Sequence, residues 1–345
     1  LCVGFCPYIK AIGERIAIIY QCGLEEGNCY RICPRTITDW EQIDKNVFNR
    51  QRSDHILGNH LEIVFARSLQ ADAAEKGQYG GVVSALTAFL LEKGEVSGAV
   101  LTSGPAGEVP RPLVARSREE VLACAGSRYS AIPTLMALNK AVKEGMENLA
   151  VVGRPCQVLA VRKMQGLCDA PEYNLSAKNV KFIIGLFCFW SLETGIYEFM
   201  QRKAGDQKII KVDIPQDSLT ITTESGVINV PIEEVRSFVR PTCQQCFDPT
   251  AEFADLSVGS TEYDPQWNTL IIRSAKGKEI VDTARAGGII ETRAYPKERL
   301  PILLNAVLNK KLRVLQALEF GEGGSYLKLS EAYKDGLKQE KGADL

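Results

Sequence analysis

A CxxC pair, Cys243 and Cys246, constrains this chain more than any other feature, because two thiols at that spacing can serve one centre. The pair could bind a metal ion or an iron–sulfur cluster, or it could act as a redox dithiol, and its spacing alone does not separate these chemistries. It lies after Pro241 and before a run of acidic residues and a predicted strand at residues 254–259. The choice depends on whether other cysteines can reach the pair.

Two other cysteines are predicted to reach it. Cys156 follows a predicted strand at residues 149–152, and Cys188 stands at the end of a predicted strand at residues 181–188. Ligands of open α/β sheets bind outside the carboxyl ends of the strands, so these two thiols are expected on one rim. Together with the CxxC pair they make a four-thiolate set, which suits a [4Fe–4S] cluster.

The N-terminal segment carries a second group of cysteines. Residues 2–7 and 29–34 each read Cys, three other residues, Cys and Pro, which matches the end of the bacterial ferredoxin run. In that run the last cysteine ligates the other cluster, so two N-terminal iron–sulfur clusters are predicted. The cysteines concerned are Cys2, Cys6, Cys22, Cys29 and Cys33.

The two predicted N-terminal clusters differ in how complete their ligand sets are. One would use Cys2 and Cys33 together with two cysteines expected upstream of Leu1. The other would use the remaining three cysteines, but Glu25 stands where a further thiolate is expected. That cluster could have three irons or an oxygen ligand, or could be absent. A zinc site or a set of buried thiols is the alternative for the whole segment.

Composition narrows the class of protein. The chain has eleven cysteines and only two histidines, which favours iron–sulfur chemistry over catalytic zinc and argues against a secreted disulfide framework. A net charge of −1 favours neither nucleic acid nor an anionic membrane surface. No apolar run reaches the ~18 residues that a transmembrane helix needs. A reducing, cytoplasmic setting is expected, and Cys124 and Cys168 are interpreted as inert thiols.

A pair of glycines, Gly80 and Gly81, is predicted at the entrance to a helix. Apolar residues at helical spacing predict that helix over residues 82–90, with Gly94 as its stop. Backbone N–H groups at a helix start point outward and can hold phosphate oxygens. The glycines are therefore candidates for phosphate binding, with a plain tight turn as the alternative.

A second candidate is the segment AGSRYS at residues 125–130, which is predicted to lie just before another apolar helix. Here a helix N-terminus would be combined with a cation, Arg128, and with nearby hydroxyl groups. The alternative is an N-cap beside a surface arginine. Two such turns in one domain favour a phosphate-bearing cofactor more than either turn alone.

The order of the predicted elements indicates an α/β fold with an antiparallel β meander at residues 209–231. A small ferredoxin-like α+β domain is predicted at residues 1–45 and an α/β catalytic body at residues 46–295. Residues 296–345 are predicted to form a helical appendage, in which the sequence shows no chemistry.

Nearly the whole chain resembles the coenzyme F420 hydrogenase/dehydrogenase beta-subunit family. The motifs that carry the resemblance are GQYGGVVSAL, AGSRYS, RPCQVLAVRK, GLFC and RPTCQQCFDPTAEFADLSVGS, followed by WNTLIIRSAKG. The resemblance implies an oxidoreductase subunit that uses FAD and a [4Fe–4S] cluster. Such a subunit passes electrons between a two-electron carrier, such as coenzyme F420, and one-electron centres in other redox subunits of a complex.

The resemblance also implies residue roles. The four cysteines of the body would be the cluster ligands, and Gln157 would reach the flavin ring. Arg154 stands beside the cofactor where many relatives have a small polar residue, which leaves the hydride partner open. The implied flavin contacts are Tyr79, Gly80, Gly81, Val82, Ser84, Ser127, Arg128 and Tyr129. The alternatives are a bacterial subunit that uses ferredoxin, a pyridine nucleotide or an organic substrate, and a zinc-stapled binding scaffold without enzymatic activity.

Overall fold

A mixed sheet of eight strands organises the part of the chain that the computed structural model describes, namely residues 3–12, 15–167, 176–215, 217–260, 263–319 and 326–342. The strands are β1 (Ile9–Ile12), β2 (Arg15–Ile18), β3 (Thr38–Asp39), β4 (Glu62–Ser68), β5 (Gly98–Ser103), β6 (Arg111–Ala115), β7 (Leu149–Gly153), β8 (Val180–Leu186), β9 (Ile209–Asp213), β10 (Ser218–Thr223), β11 (Gly226–Pro231), β12 (Leu256–Ser260), β13 (Asn268–Ile272), β14 (Ile290–Ala294) and β15 (Leu327–Lys328). The order in the large sheet is β14-β4-β13-β12-β8-β7-β5-β6.

Helices cover the sheet and extend the chain at both ends. They are α1 (Asn28–Ile32), α2 (Trp40–Phe48), α3 (Ala71–Lys76), α4 (Val82–Glu92), α5 (Arg118–Ala123), α6 (Leu135–Lys143), α7 (Pro155–Gln165), α8 (Gly195–Ala204), α9 (Ile232–Arg236), α10 (Ala275–Ala286), α11 (Leu300–Glu319) and α12 (Glu331–Gly342). In the ranges that the structure covers, none of these helices is both long and apolar enough to cross a membrane.

The middle of the sheet is parallel. Strands β12, β8, β7 and β5 pair in parallel, while β13, β4, β14 and β6 add antiparallel neighbours on either side. The parallel strands are short apolar runs because both of their faces are covered by helices. Residues of α4 and α10 pack on one face, and residues of α6, α7 and α11 pack on the other.

One edge of the sheet collects the ends of five strands. Because β4 is antiparallel to β13, and β13 is antiparallel to β12, strand β4 runs in the same direction as the four parallel strands. The carboxyl ends of β4, β5, β7, β8 and β12 therefore share this edge. In α/β sheets, the carboxyl ends of parallel strands are where ligands bind. The strand ends at this edge are Ser68, Ser103, Gly153, Leu186 and Ser260.

The antiparallel meander forms a separate small sheet, with the order β11-β10-β9. Alternating residues of β10, Leu219 and Ile221, are buried with Met200 of α8 and Val235 of α9. This period-two pattern is what a strand with one covered face requires. The predicted meander and the α/β fold class are confirmed.

The N-terminal segment is α+β in character. Strands β1 and β2 form an antiparallel hairpin, and the short helix α1 follows. Strand β3 pairs in parallel with β15 near the other end of the chain, so the two terminal regions are in contact. The predicted domain boundaries stay predictions.

Candidate functional site

A cleft of about 460 Å³ opens beside the carboxyl end of β4. The main-chain N–H of Ser68 donates to the carbonyl of Gly80 at 2.7 Å, which brings the α3–α4 loop onto this edge of the sheet. Lys211 of the meander also lines the cleft. The lining residues are Arg67, Ser68, Leu69, Ala74, Glu75, Gly77, Tyr79, Gly80, Lys211, Pro265 and Gln266.

The two glycines of this loop are required by packing. Gly81 is the N-cap of α4 and has a φ of +67°, and a β-carbon there would overlap the carbonyl oxygen of Ala73. A β-carbon on Gly80 would lie 2.8 Å from the carbonyl oxygen of Ala66. Left-handed backbone and close approach both favour glycine. Packing alone therefore explains why both positions are glycine, which was the alternative to phosphate binding.

The predicted flavin contacts of this loop divide into two groups. Tyr79 and Gly80 line the cleft, and Tyr79 holds a φ of +55°, which is uncommon for a residue with a side chain. Val82 and Ser84 are buried in α4, and the N–H of Val82 donates to Asn268 Oδ1 at 3.3 Å. The side chains of Val82 and Ser84 are thus part of the packing beneath the cleft.

Gln78 is a residue that the sequence analysis missed. Both polar atoms of its side chain, Oε1 and Nε2, are buried without a hydrogen-bond partner. A buried amide without partners is costly, and it is rare in folded proteins. Gln78 immediately precedes Tyr79 and Gly80, so this amide lies in the loop that forms the cleft.

The segment at Ser127, Arg128 and Tyr129 does not begin a helix, so that prediction was wrong. Helix α6 begins only at Leu135, and Ser130 instead forms an isolated bridge with Leu192. The backbone here is extended because it pairs with the segment that follows β8. The hydroxyls and the cation of this segment therefore do not surround a helix N-terminus.

Arg128 and Tyr129 hold the AGSRYS segment in place. Arg128 Nε donates to the carbonyl of Gly104, just past the end of β5, at 3.0 Å. The hydroxyl of Tyr129 donates to Asp213 Oδ1 at 2.9 Å, and burial, with the Asp213 carboxylate, raises the pKa of this phenol well above its usual range. Ser127, Arg128 and Tyr129 also line a cavity of about 10 Å³, room for about one water molecule.

The four cysteines of the body lie around the ends of β7 and β8. Cys156 is the second residue of α7, directly after β7, and Cys188 follows β8 by two residues. The CxxC pair lies at a 3₁₀ helix, Pro241–Gln245. The main-chain N–H of Cys188 donates to the carbonyl of Pro249 at 2.8 Å, which ties the segment after the CxxC pair to the end of β8.

The four thiols influence one another electrostatically. Burial, with smaller contributions from the thiols of Cys156 and Cys246, raises the pKa of Cys188 to about 12. Burial also raises the pKa of Cys156, with Cys246 and Cys243 adding to the effect. In the ranges that the structure describes, no three side chains of Cys, His, Asp or Glu form a group that could hold a metal ion. The ligand set stays a prediction.

Three cations surround the thiols and oppose this burial effect. Arg154 and Lys310 lower the pKa of Cys188, and Arg154 and Arg35 lower that of Cys156. Lys310 of α11 is buried, and its ammonium donates to the carbonyl of Cys188 at 2.9 Å. Positive charges near thiols favour the thiolate, which is the form that binds metals.

Ser191 joins the AGSRYS segment to the cysteines. Its hydroxyl donates to the carbonyl of Tyr129 at 2.9 Å and accepts a hydrogen bond from Arg154 Nη1. Its own carbonyl accepts from the N–H of Arg240 at 2.9 Å and from the thiol of Cys243 at 3.9 Å. One buried serine therefore contacts both groups of predicted site residues.

Gln157 is used within its own helix. Its Oε1 accepts from the N–H of Arg154 at 3.0 Å, which completes a capping interaction at the start of α7. Its Nε2 donates to the carbonyl of Ile132 at 3.4 Å. The predicted contact of Gln157 with a flavin ring stays a prediction, and it would require the side chain to exchange these partners.

Two segments of the chain match a known family. Residues 63–139 match the N-terminal part of the coenzyme F420 hydrogenase/dehydrogenase beta subunit, and residues 146–298 match its C-terminal part. Together these matches span more than half of the chain. The chain belongs to the coenzyme F420 hydrogenase/dehydrogenase beta-subunit family.

Individual members of this beta-subunit family are similar over most of the chain. The coenzyme F420 hydrogenase subunit beta of Methanothermobacter thermautotrophicus is 34% identical over 69% of this chain and 86% of that protein. The coenzyme F420-dependent sulfite reductase of Methanocaldococcus jannaschii is 32% identical over 81% of this chain but only 44% of the reductase. A chain of the F420-reducing [NiFe] hydrogenase complex from Methanosarcina barkeri superposes with a TM-score of 0.72 at 30% identity, covering 80% of this chain and 98% of that one.

These comparisons confirm the predicted beta-subunit family and the oxidoreductase class. Residues 1–62 and 299–345 lie outside the two family matches. Both of these outer regions nevertheless lie near the four-cysteine group: Arg35 is within electrostatic range of Cys246 and Cys156, and Lys310 donates to the carbonyl of Cys188.

The N-terminal cysteines lie in a segment that is hydrogen-bonded to α7, a helix within the part of the chain that matches the family. Lys163 of α7 donates to the carbonyl of Cys33 at 2.6 Å and to the hydroxyls of Thr36 and Thr38 at 3.2 and 3.1 Å. Burial lowers the pKa of this lysine to about 8. Cys6, Cys29 and Cys33 are partly buried and Cys22 is exposed, whereas Cys2 and Cys168 lie outside the described residues.

The acids after the CxxC pair are buried and paired. Glu252 forms ion pairs with Lys311 of α11, at 2.6 Å, and with Arg52. Asp255 pairs with Arg162 of α7 at 3.3 Å. Asp248 accepts from the N–H of Glu252 at 2.9 Å. These carboxylates fix the loop that follows the CxxC pair, and the predicted C-terminal appendage supplies one of their partners, Lys311.

Proposed function

We propose that this member of the beta-subunit family binds FAD beside the α3–α4 loop and one [4Fe–4S] cluster at its four body cysteines, as a subunit of a larger redox complex. A flavin exchanges a hydride with a two-electron carrier, and thiolate-bound iron clusters carry single electrons. The contribution of the chain is to bind both groups close together, orient them and supply compensating charge.

The cleft at β4 fits a flavin in size and in polarity. Its volume of about 460 Å³ is within the range of small-molecule sites. The buried amide of Gln78, in the same loop, has one acceptor and two donors without partners, and these would reach the edge of a flavin ring if the side chain turned toward the cleft. Lys211 adds a cation for an anionic phosphate or ring. These features support Tyr79 and Gly80 as direct contacts, with Gly81, Val82 and Ser84 as their packed support.

The four body cysteines fit an iron–sulfur cluster by donor type. Four thiols and no histidine is the ligand set that [4Fe–4S] clusters use. Reduction of such a centre adds negative charge, and Arg154, Arg35 and Lys310 provide positive charge around the thiols. We infer that these cations stabilise the reduced centre.

The contacts of Ser191 carry the proposal. A two-electron site and a one-electron site are useful together only if the chain holds them at a fixed, short separation. The hydrogen bonds of Ser191 link the AGSRYS segment at Tyr129, the helix start at Arg154 and the cysteine side at Cys243. These hydrogen bonds therefore connect one group of the flavin contacts implied by the family resemblance to the four-cysteine group.

The proposed two-electron partner is coenzyme F420. Several relatives that match over most of this chain are named coenzyme F420 hydrogenase subunit beta, another is named coenzyme F420-dependent sulfite reductase, and one similar chain comes from an F420-reducing hydrogenase complex. We infer that this chain likewise joins other redox subunits. The N-terminal cysteines would carry one or two further clusters toward such a partner, with Cys2, Cys6, Cys22, Cys29 and Cys33 as ligands.

The proposal is tested on anaerobically purified protein by its absorbance, its iron and sulfide content, and flavin reduction by F420H2 or NADPH. Bound FAD and iron at a cluster stoichiometry are expected, with reduction by F420H2. Cys188→Ala should remove the iron of the body cluster, while the matched control Cys124→Ala, at a buried thiol away from the group, should retain it.

Three other outcomes would replace, modify or contradict the proposal. Zinc without flavin would replace the proposal with the binding scaffold. Flavin that NADPH reduces and F420H2 does not would keep the class of subunit and change the donor. Iron retained in full by Cys188→Ala would contradict the four-cysteine ligand set.

A further inference from the structure

Arg35 lies between the two predicted iron–sulfur groups. Its main-chain N–H donates to the sulfur of Cys33 at 3.4 Å, in the N-terminal segment. Its guanidinium lies within electrostatic range of the thiols of Cys246, in the CxxC pair, and of Cys156. The main chain and the side chain of one residue therefore face the two groups at the same time.

A tyrosine from the other end of the chain holds the guanidinium in position. Arg35 Nη1 donates to the hydroxyl of Tyr326 at 3.4 Å, and the guanidinium carbon lies 5.7 Å from the centre of the same ring. The hydroxyl of Tyr326 in turn donates to the carbonyl of Gln245, which lies between the two cysteines of the CxxC pair. The carbonyl of Tyr326 accepts from the N–H of Thr38 at 2.8 Å, which fixes the segment that contains Arg35.

We propose that Arg35 is a positioning residue that couples the N-terminal cysteine segment to the four-cysteine site and places a permanent positive charge between them. The inference rests on the proposed function, because it concerns the clusters that these cysteines would hold. It adds a residue outside the family match as a determinant of how readily those clusters accept an electron.

The positive charge of Arg35 is expected to change the reduction potential of nearby clusters. A guanidinium stays protonated throughout the physiological range, so its charge does not vary with pH. An added electron is stabilised by a nearby cation, and partial burial lessens the screening by salt. Hydrogen bonds to cluster sulfurs and local charge are among the factors that set cluster potentials. Arg35 provides both at the boundary of the two segments.

The test is an EPR-monitored redox titration of the full chain, comparing Arg35→Gln, Arg35→Lys and the matched control Arg50→Gln. Arg50 is a suitable control because it also lies over an aromatic ring, at 6.0 Å from Phe48, and donates to a carbonyl, that of His60. Arg35→Gln should shift the body cluster about tenfold toward the oxidised form, or about 59 mV for one electron, and Arg35→Lys less than about threefold. Arg50→Gln should leave the titration unchanged.

Two results would overturn the assignment. One is a wild-type midpoint in Arg35→Gln with both signals intact, and the other is an equal shift in Arg50→Gln. If Arg35→Gln loses its iron, its midpoint cannot be measured, and the Arg35→Lys variant then tests the role of the charge. Retained clusters with a small shift support a role for the charge, and equal loss of iron contradicts it. Failure of the proposed function itself is distinct, because the unsubstituted protein would then show no cluster signal to titrate.

Discussion

The hydroxyl of Ser191 donates a 2.9 Å hydrogen bond to the main-chain carbonyl of Tyr129. This bond crosses from the segment after β8 to the AGSRYS segment, and it is partly buried. The same hydroxyl is the acceptor for Arg154. The contact therefore connects the AGSRYS segment with the start of α7, next to Cys156.

Replacing Ser191 with alanine should loosen this connection. The guanidinium of Arg154 would lose an acceptor in a partly buried position, at an expected cost of about 1–3 kcal/mol. Faster hydrogen exchange is expected at residues 127–131, measured by mass spectrometry. Ser237→Ala is the control, because that exposed serine also donates to a carbonyl, that of Glu234, but in contact with solvent. Equal effects of the two substitutions would contradict the special position of Ser191.

Gly81→Ala should destabilise the protein even when no flavin is bound. A β-carbon at Gly81 meets the carbonyl oxygen of Ala73, whereas Gly94, with a similar φ of +68°, has open space around it. Gly94→Ala should cost about 1 kcal/mol for the left-handed backbone, and Gly81→Ala clearly more. Urea unfolding of the flavin-free variants measures both. Equal costs would show that the Ala73 contact is relieved by a small shift of α3.

The loop at Gly81 illustrates how far sequence reasoning reaches. Helix α4, strand β5, the strand and helix around Cys156 and the strand before Cys188 were predictable, because the spacing of apolar residues and the positions of glycine are local signals. The reason for the glycine was not predictable, since its close contact comes from the packing of α3 against α4. A bulkier substitution at Gly81, such as valine, is consequently a poor test of flavin binding.

Long-range contacts account for the other differences. Ser127–Ser130 precedes an apolar helix in sequence, but its backbone pairs with the segment at Leu192 and extends. In the sequence, Lys310 and Lys311 look like solvent-exposed residues of an amphipathic helix. Both are buried, and they pair with the carbonyl of Cys188 and the carboxylate of Glu252, respectively. Partners so distant in sequence leave no local signal.

Glu252→Gln should destabilise the protein strongly at neutral pH. Glu252 is fully buried, and Lys311 and Arg52 would lose the carboxylate that balances their charges. Removing one member of a buried ion pair costs about 3–5 kcal/mol, whereas an exposed pair is worth about 0–1 kcal/mol. Glu95→Gln, which breaks the exposed pair with Lys181, is the control. Similar unfolding free energies for the two variants would contradict the role of the buried network.

The lowered pKa of Glu252 predicts how the free energy of unfolding decreases in acid. Burial disfavours the charged form of Glu252, but Lys311 and Arg52 outweigh it and lower its pKa from 4.5 to about 2. Its contribution is fully present above about pH 4.5 and is lost as the pH falls toward about 2. Asp248 acts in the opposite sense, because burial raises its pKa to about 6. Glu252→Gln should therefore flatten the fall in stability below pH 4.5, and an unchanged acid limb would contradict this account.

Lys163→Met should release the N-terminal segment from α7. The ammonium of Lys163 holds the carbonyls of Cys33 and Ile37 as well as nearby threonine hydroxyls. Hydrogen exchange at residues 28–38 should increase severalfold, with little change in the large sheet. Lys140→Met, at an exposed lysine near Glu144, is the control. Unchanged protection in Lys163→Met would mean that β3 and β15 hold the segment alone.

The central claim is that Cys156, Cys188, Cys243 and Cys246 bind one [4Fe–4S] cluster. Its most direct test is a crystal structure of the anaerobically purified protein with anomalous data at the iron edge. The account predicts one compact group of iron peaks, each iron about 2.3 Å from one of these four sulfurs, by analogy with thiolate–metal bonds. A single zinc ion at the CxxC pair, or any one of the four sulfurs turned away from the iron, would contradict it.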